Sequence, residues 1–198
     1  MAKMNLKDSE TKKNLLRAFA GESQARNRYT IAAGKAKEQK LYVVQQVFLF
    51  TAEQEREHAE VFYKHLKELT GENLEIDGTY PIEGYDDTLS LLKAAKHDEY
   101  EEYGTVYPVF AKTAEEEGFL SVAASFRNIA EIEKIHGDRF DQFAVLMERN
   151  QLFETSREIS YMCLSCGYIY TGTRVPEKCP VCSHDKGYFV RLEMAPFL

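Results

Sequence analysis

The chain lacks a long apolar run, an excess of basic residues and a glycine-rich phosphate-binding loop. No apolar run approaches the ~20 residues that a membrane-spanning helix needs, and the first residues lack the apolar stretch of a secretion signal. A net charge of −7 with no compensating basic face argues against binding to a phosphate backbone. These absences predict a cytoplasmic protein that binds no nucleic acid, no nucleotide and no membrane.

Cysteine is scarce and first occurs at Cys163. The four cysteines form two Cys-x-x-Cys pairs, Cys163 with Cys166 and Cys179 with Cys182, and 12 residues separate the pairs. Paired knuckles of this kind bring four thiolates to one tetrahedral metal site. In a cytoplasmic chain a metal is favoured over two disulfides. The spacing alone favours zinc over iron, because structural zinc ribbons are common, and it leaves both metals open.

Glutamate and histidine recur in a repeated pattern. The motif Glu-x-x-His occurs at 55–58 and again at 133–136, and a further glutamate precedes each copy, Glu22 by 33 residues and Glu99 by 34. Residues three apart share one face of a helix, so each motif presents a carboxylate and an imidazole to one point. Two such helices, with one glutamate from each of two others, form the ligand set of a pair of iron or manganese ions inside a four-helix bundle.

The neighbours of these glutamates indicate that they point inward. Phenylalanine stands seven residues before and seven residues after Glu55, and the same holds for Glu133. A glutamate in an apolar stripe must be neutral, paired or bound to a metal, because an isolated buried carboxylate is too costly. Surface glutamates and a satisfied core histidine would explain one such motif. Two copies with matched partners favour a metal site.

Four long helical patterns precede a change of composition near residue 150. They cover about residues 9–37, 40–69, 88–117 and 119–148, and Ser9 is a plausible N-cap of the first. The connections near residues 38 and 118 are short and predict antiparallel neighbours, whereas the connection 71–87 is long enough to run the length of the bundle. This favours a crossover, as in ferritin-like folds. Pro108 should kink the third helix or open its backbone hydrogen bonds.

The two sites, in this order, resemble those of the rubrerythrin family over nearly the whole chain. The bundle carries the likeness at 18–29 (AFAGESQARNRY), in both Glu-x-x-His motifs and in Glu99-x-x-Glu102 ahead of Tyr107-Pro108. The tail resembles rubredoxin in its two cysteine knuckles. The first knuckle with the four residues after it reads CLSCGYIY, and the second knuckle reads CPVC. The resemblance implies a mainly α protein: a ferritin-like di-iron bundle at 1–150, a linker at about 149–159 and a small rubredoxin-like or zinc-ribbon-like β domain at 151–198.

The resemblance also implies a role for each site residue. The metal ligands would be Glu22, Glu55, His58, Glu99, Glu102, Glu133 and His136 for two irons, and Cys163, Cys166, Cys179 and Cys182 for a third iron in place of zinc. Glu55 and Glu133 would bridge the pair. Glu102 would bind the first iron in the oxidised protein and give way to His58 on reduction, which makes these two the catalytic candidates. Tyr29 and Tyr107 would hydrogen-bond ligating carboxylates.

The implied activity is the reduction of hydrogen peroxide to water in protection against oxidative stress. Electrons would come from an external donor, rubredoxin or an NAD(P)H-dependent reductase, through the four-cysteine iron. The family also implies a homodimer in which the tail of one chain faces the di-iron site of its partner. Three alternatives remain open: an iron-handling ferroxidase or iron-storage relative of ferritin, a di-iron oxygenase with an organic substrate, and a structural zinc tail that mediates dimerisation.

Overall fold

Four long helices build most of the protein, and the computed structural model describes residues 4–196 of it. Helix α1 spans Glu10–Glu38, and the Ser9 side chain caps it by accepting a hydrogen bond from the backbone N–H of Lys12, as predicted. Helix α2 spans Tyr42–His65 and is followed by a 3₁₀ turn at Lys67–Leu69, so it ends one turn earlier than expected. Residues 1–3 and 197–198, the outer ends of the two predicted domains, lie outside the described residues.

The third long helix is interrupted at the point where Pro108 follows Gly104. It consists of α3 (Thr88–Glu101), a π-helical turn (Glu102–Val106) and α4 (Tyr107–Glu116). Proline has no N–H to donate to the carbonyl four residues back, and the wider π turn accommodates this loss. The expected opening of the backbone hydrogen bonds is therefore confirmed, and it begins at Glu102. Helix α5 (Leu120–Glu148) completes the bundle after a turn at Gly118, which has a φ of 86°.

The long connection between α2 and α3 runs along the whole length of α1. Its side chains and carbonyls contact α1, or the residues next to it, in chain order through the pairs Lys7–Glu72, Arg17–Asp77, Arg28–Glu83 and Gln39–Asp86. These contacts start before the first turn of α1 and end after its last turn. The ferritin-like crossover is thus confirmed.

Two aromatic clusters form the core of the bundle. Phe48 and Phe140 pack with ring centroids 5.2 Å apart in one cluster, and Phe62 and Phe126 pack at 4.9 Å in the other. In α2 and α5 each Glu-x-x-His motif lies between these phenylalanines. None of the helices among residues 4–196 is both long and apolar enough to cross a membrane.

The C-terminal unit, residues 154–196, is a small antiparallel sheet placed against one end of the bundle. Its strands β1 (Glu154–Cys163), β2 (Ile169–Arg174) and β3 (Phe189–Arg191) lie in the order β2-β1-β3. Strand β1 begins inside the stretch expected to be a linker. Tyr188 stacks on Tyr42 at the start of α2 with ring centroids 4.3 Å apart. A Cβ on Gly187 would lie 1.9 Å from the Lys40 carbonyl oxygen, so only glycine fits there.

Candidate metal centre

The seven carboxylate and imidazole side chains predicted as ligands meet in the middle of the bundle. Helix α1 contributes Glu22, α2 contributes Glu55 and His58, α3 contributes Glu99, the π turn contributes Glu102, and α5 contributes Glu133 and His136. Ligand atoms of the two Glu-x-x-His motifs lie within 4.8 Å of one another, and so do those of Glu22, Glu102 and Glu133. All but Glu102 are almost completely buried.

Glu55 and Glu133 each present one oxygen to each histidine. His136 Nδ1 lies 2.9 Å from Glu55 Oε1 and 2.9 Å from Glu133 Oε2. His58 Nδ1 lies 3.1 Å from Glu55 Oε2 and 2.9 Å from Glu133 Oε1. The two rings are nearly parallel, with centroids 5.5 Å apart. The site thus has two halves, one per histidine, and the two carboxylates span both halves as bridging ligands would.

The remaining carboxylates divide between these halves. Glu99 Oε2 lies 3.6 Å from His136 Nδ1, and Glu22 Oε2 lies 3.8 Å from His58 Nδ1. Glu102 groups with Glu22, which places it on the His58 half. In addition to the shared carboxylates and Glu22, that half therefore has two candidate metal donors, the His58 imidazole and the Glu102 carboxylate. It is also the less enclosed half, because His58 is 6 % exposed and His136 is 0 % exposed.

Two buried tyrosines hold the outer carboxylates. The Tyr29 hydroxyl donates a hydrogen bond of 2.5 Å to Glu99 Oε1, and the Tyr107 hydroxyl donates one to Glu22 Oε1. Burial and the neighbouring carboxylates raise the pKa of both tyrosines, so their protons stay on the phenols and remain available to donate. Each bond uses one oxygen of its carboxylate and leaves the other directed into the site. Hydrogen bonds of this kind orient metal-binding side chains in known metal sites.

The buried polar atoms of the cluster fit a pair of cations. Both oxygens of Glu55 and Glu133, one oxygen each of Glu22 and Glu99, and ring nitrogens of both histidines have no well-aligned hydrogen-bond partner among the described residues. Unsatisfied buried groups of this kind are rare and call for an unseen water or ion. Five carboxylates and two imidazoles suit iron or manganese.

The pKa values of these groups reflect the electrostatic repulsion among several buried carboxylates. Burial and mutual repulsion raise the pKa of Glu22, Glu99 and Glu102 well above the usual range. Burial opposes charge on Glu55, but the adjacent imidazoles of His136 and His58 lower its pKa to about 2. Burial likewise opposes charge on the histidines, whereas their carboxylate partners raise the pKa of His58 to about 9 and that of His136 to about 12.

The four cysteines form a second, separate site. The Sγ atoms of Cys163 and Cys182 are 3.8 Å apart, those of Cys166 and Cys179 are 3.6 Å apart, and all four cysteines are free thiols. A tetrahedron with metal–sulfur bonds of about 2.3 Å has edges of about 3.8 Å. The spacing therefore fits one tetrahedral metal ion and excludes two disulfides.

The two cysteine knuckles have the same type of backbone turn. The residue after each knuckle has a positive φ, 76° at Gly167 and 61° at Ser183, and its N–H donates to the carbonyl of the first cysteine of its knuckle. The turn directs backbone N–H groups toward sulfur. Burial opposes the Cys179 thiolate, but the N–H groups of Cys182 and Val181 lower the pKa of this thiol to about 7. These N–H groups thus favour the thiolate form of Cys179, which is the form that a metal binds, whereas burial raises the pKa of Cys163 to about 12.

Two features beside the metal centre were not predicted. Tyr100 lies against Gly137, where a Cβ would come within 2.7 Å of the ring, and so it separates the helices that carry Glu99 and His136. Arg139 extends from α5 to α2 and hydrogen-bonds Thr51 and Gln54. Arg139 follows His136 by three residues, so the helical spacing contained a signal for it.

Both parts of the chain match known families. The profile described as Rubrerythrin matches residues 13–144, and the profile described as Rubrerythrin, rubredoxin-like domain matches residues 161–190. The fold and the sites thus define a ferritin-like protein with a di-iron ligand set that includes Glu55, His58, Glu133 and His136, and with a four-cysteine rubredoxin-like site. The chain belongs to the rubrerythrin family.

Individual relatives agree with this assignment. The chain is 44 % identical to the rubrerythrin of Clostridium perfringens, over 93 % of this chain and 95 % of that protein. It is 42 % identical to the rubrerythrin of Nitratidesulfovibrio vulgaris, with the same coverage of both. A structure of mixed-valence nigerythrin superimposes with a TM-score of 0.62 at 27 % identity, over 93 % of this chain and 90 % of that one. A bacterioferritin of Desulfovibrio desulfuricans, with a TM-score of 0.63 at 22 % identity over 72 % of this chain and 82 % of that one, shares the fold alone.

Proposed function

We propose that the protein is a peroxidase that reduces hydrogen peroxide to two waters and thereby protects the cell against oxidative stress. The observation that carries this proposal is the pairing, in one chain, of a two-metal carboxylate–histidine site with a four-thiolate site. When bound, a ferrous pair supplies two electrons together to the O–O bond, and a four-thiolate iron supplies one electron at a time. The reaction consumes two electrons and two protons for each peroxide.

The proposal assigns a part to each group of residues. Glu55 and Glu133 would hold both ions, Glu22 would hold the first ion, and Glu99 with His136 would hold the second. Glu102 would hold the first ion in the oxidised protein, and His58 would hold it in the reduced protein. The closeness of both to Glu22 supports the exchange, because neither has to leave the site when the other binds. Replacing a neutral imidazole with a carboxylate follows the gain of positive charge on oxidation.

Proton delivery falls to the same half of the site. Glu102 is partly exposed, lies on the π turn and is not held by a tyrosine, unlike Glu22 and Glu99. Its carboxyl can therefore carry a proton between solvent and the site whenever His58 takes its place. Tyr29 and Tyr107 keep the outer carboxylates fixed while Glu102 moves. The π turn supports this movement because its backbone hydrogen bonds are already rearranged.

We further propose that electrons pass between the two chains of a homodimer. The C-terminal unit contacts the bundle through Tyr188 and Tyr42, and Glu55 lies 13 residues farther along α2, about 20 Å away at ~1.5 Å per residue. Electron tunnelling weakens steeply over such a distance. A second chain, with its four-cysteine site facing this di-iron site, would shorten the path. The donor to the four-cysteine iron would be rubredoxin or an NAD(P)H-dependent reductase in the cytoplasm.

Steady-state turnover tests this function against iron storage. The iron-loaded protein, supplied with an artificial electron donor, should consume peroxide continuously without releasing oxygen, and it should elute from a sizing column as a dimer. A cage-sized assembly that mineralises iron and shows no donor-dependent consumption of peroxide would contradict the proposal and favour a storage role. Continuous peroxide consumption by protein with zinc in the four-cysteine site would contradict the relay.

A further inference from the structure

Arg139 is a half-buried cation beside the carboxylate cluster, and its side-chain hydrogen bonds go to neutral groups. Its Nη1 donates to Thr51 Oγ1 at 2.8 Å and to Gln54 Oε1 at 2.9 Å. Its guanidinium lies 5.1 Å from the centroid of the Phe50 ring. Thr51 stands one turn before Glu55 on α2, and Gln54 is the residue next to Glu55. These contacts fix the positive charge close to the bridging carboxylate.

No carboxylate forms an ion pair with Arg139 among residues 4–196. Arg28, the other arginine close to the cluster, lies between Glu83 and Asp98 and is neutralised by them. A cation removed from water needs a countercharge. The buried carboxylates of the metal centre supply it for Arg139: burial lowers the pKa of Arg139, and Glu99, Glu55 and Glu133 act in the opposite direction.

We propose that Arg139 is a positioning residue whose fixed charge tunes the metal centre, weakening its hold on cations and favouring its reduced state. The proposal deepens the proposed function, because it concerns how readily that same centre accepts electrons. A permanent positive charge repels metal cations, and it repels the ferric pair more than the ferrous pair, which carries two charges fewer. Five carboxylates would otherwise favour the ferric state. Arg139 therefore keeps the centre reducible by a weak donor.

Metal affinity separates this electrostatic role from a structural one, because the two predict opposite signs. A variant that merely loosened the α2–α5 contact would bind metal more weakly. Loss of the charge alone should strengthen binding by on the order of tenfold, the effect of one unit charge near a site of intermediate dielectric. The probe is Co²⁺ added to the full metal-free chain, since the thiolate site gives intense charge-transfer bands and the carboxylate–histidine site gives weak visible bands.

We expect Arg139→Gln and Arg139→Met to bind Co²⁺ more tightly at the carboxylate–histidine site and to lower the midpoint potential of the iron-loaded centre. Arg139→Lys, which retains the charge, should restore both values. The matched control is Arg127→Gln, because Arg127 lies on the same helix, is half exposed and pairs with Glu115 in solvent. Its removal should change neither quantity appreciably, since salt screens exposed charges.

Unchanged or weaker Co²⁺ binding in both neutral variants, or a lysine variant that behaves like them, would overturn the proposal. Neither measurement uses peroxide. A failure of peroxide turnover in the unchanged protein would therefore refute the proposed function without altering the result for Arg139.

Discussion

Replacing Gly137 by alanine tests whether Tyr100 sets the distance between the helices that carry Glu99 and His136. The new Cβ would lie 2.7 Å from Tyr100 Cε1 and 2.8 Å from Cδ1. These atoms would have to separate by roughly 1 Å to reach ordinary contact at about 3.5–4.0 Å. The Tyr100 hydroxyl donates to Asp138 Oδ1 at 2.7 Å, so the ring cannot swing aside without losing that bond.

The magnitude follows from two opposing effects. Alanine in place of glycine inside a helix stabilises by about 1 kcal/mol. Overpacking at a tight contact costs about 1–3 kcal/mol, and the strained hydrogen bond adds about 1 kcal/mol. The free energy of unfolding should therefore fall by about 1–3 kcal/mol. Metal binding at the His136 half should weaken as well, because Gly137 is the residue next to His136.

Urea unfolding of the metal-free protein measures the effect on stability, and Gly34→Ala is the matched control. Gly34 lies inside α1, and among residues 4–196 nothing beyond its chain neighbours and its own helix backbone lies within 4 Å of the position its Cβ would take. That substitution should stabilise the protein by up to about 1 kcal/mol. A Gly137→Ala protein as stable as the Gly34→Ala protein, with unchanged Co²⁺ affinity, would refute the view that Tyr100 acts as a spacer.

Three further predictions concern the two sites and their contact. Glu102→Ala should preserve the urea midpoint but slow peroxide turnover in rapid mixing by at least about tenfold. Glu101→Ala, which changes an exposed residue one position away, should leave turnover unchanged. Equal turnover rates for the two variants would exclude the ligand exchange. Cys179→Ser should abolish turnover with an external donor, while the reduced di-iron site still consumes one equivalent of peroxide; continued turnover would exclude the relay. Gly187→Ala should detach the C-terminal unit from the bundle, because its Cβ would overlap the Lys40 carbonyl; faster amide exchange around Lys40 would show this, and unchanged exchange would contradict it.

Local spacing was sufficient to predict most of the metal centre. Three-residue spacing places Glu55 with His58 and Glu133 with His136, and the phenylalanines seven residues away assign these faces to the core. The length of the segment 71–87 indicated the crossover. These features depend on helical periodicity and chain length, which a sequence displays directly.

Other features depend on contacts between distant segments and could not be read from spacing. The π turn begins at Glu102, and this carboxylate joins Glu22 and Glu133, which lie on two other helices. The charge partner of Arg139 depends on how α2 packs against α5. The end of α2 at His65 and the start of β1 at Glu154 also differ from expectation, because local hydrogen bonding decides such boundaries.

The most direct test of the account is a visible spectrum of the anaerobically reduced, colourless protein during addition of a small portion of hydrogen peroxide. The red colour of a ferric four-thiolate site should return rapidly and in proportion to the peroxide added. Electrons would then have passed from the four-cysteine iron through the di-iron site to peroxide. If no colour returns and metal analysis finds zinc bound by the cysteines, the relay is contradicted and the protein handles iron instead.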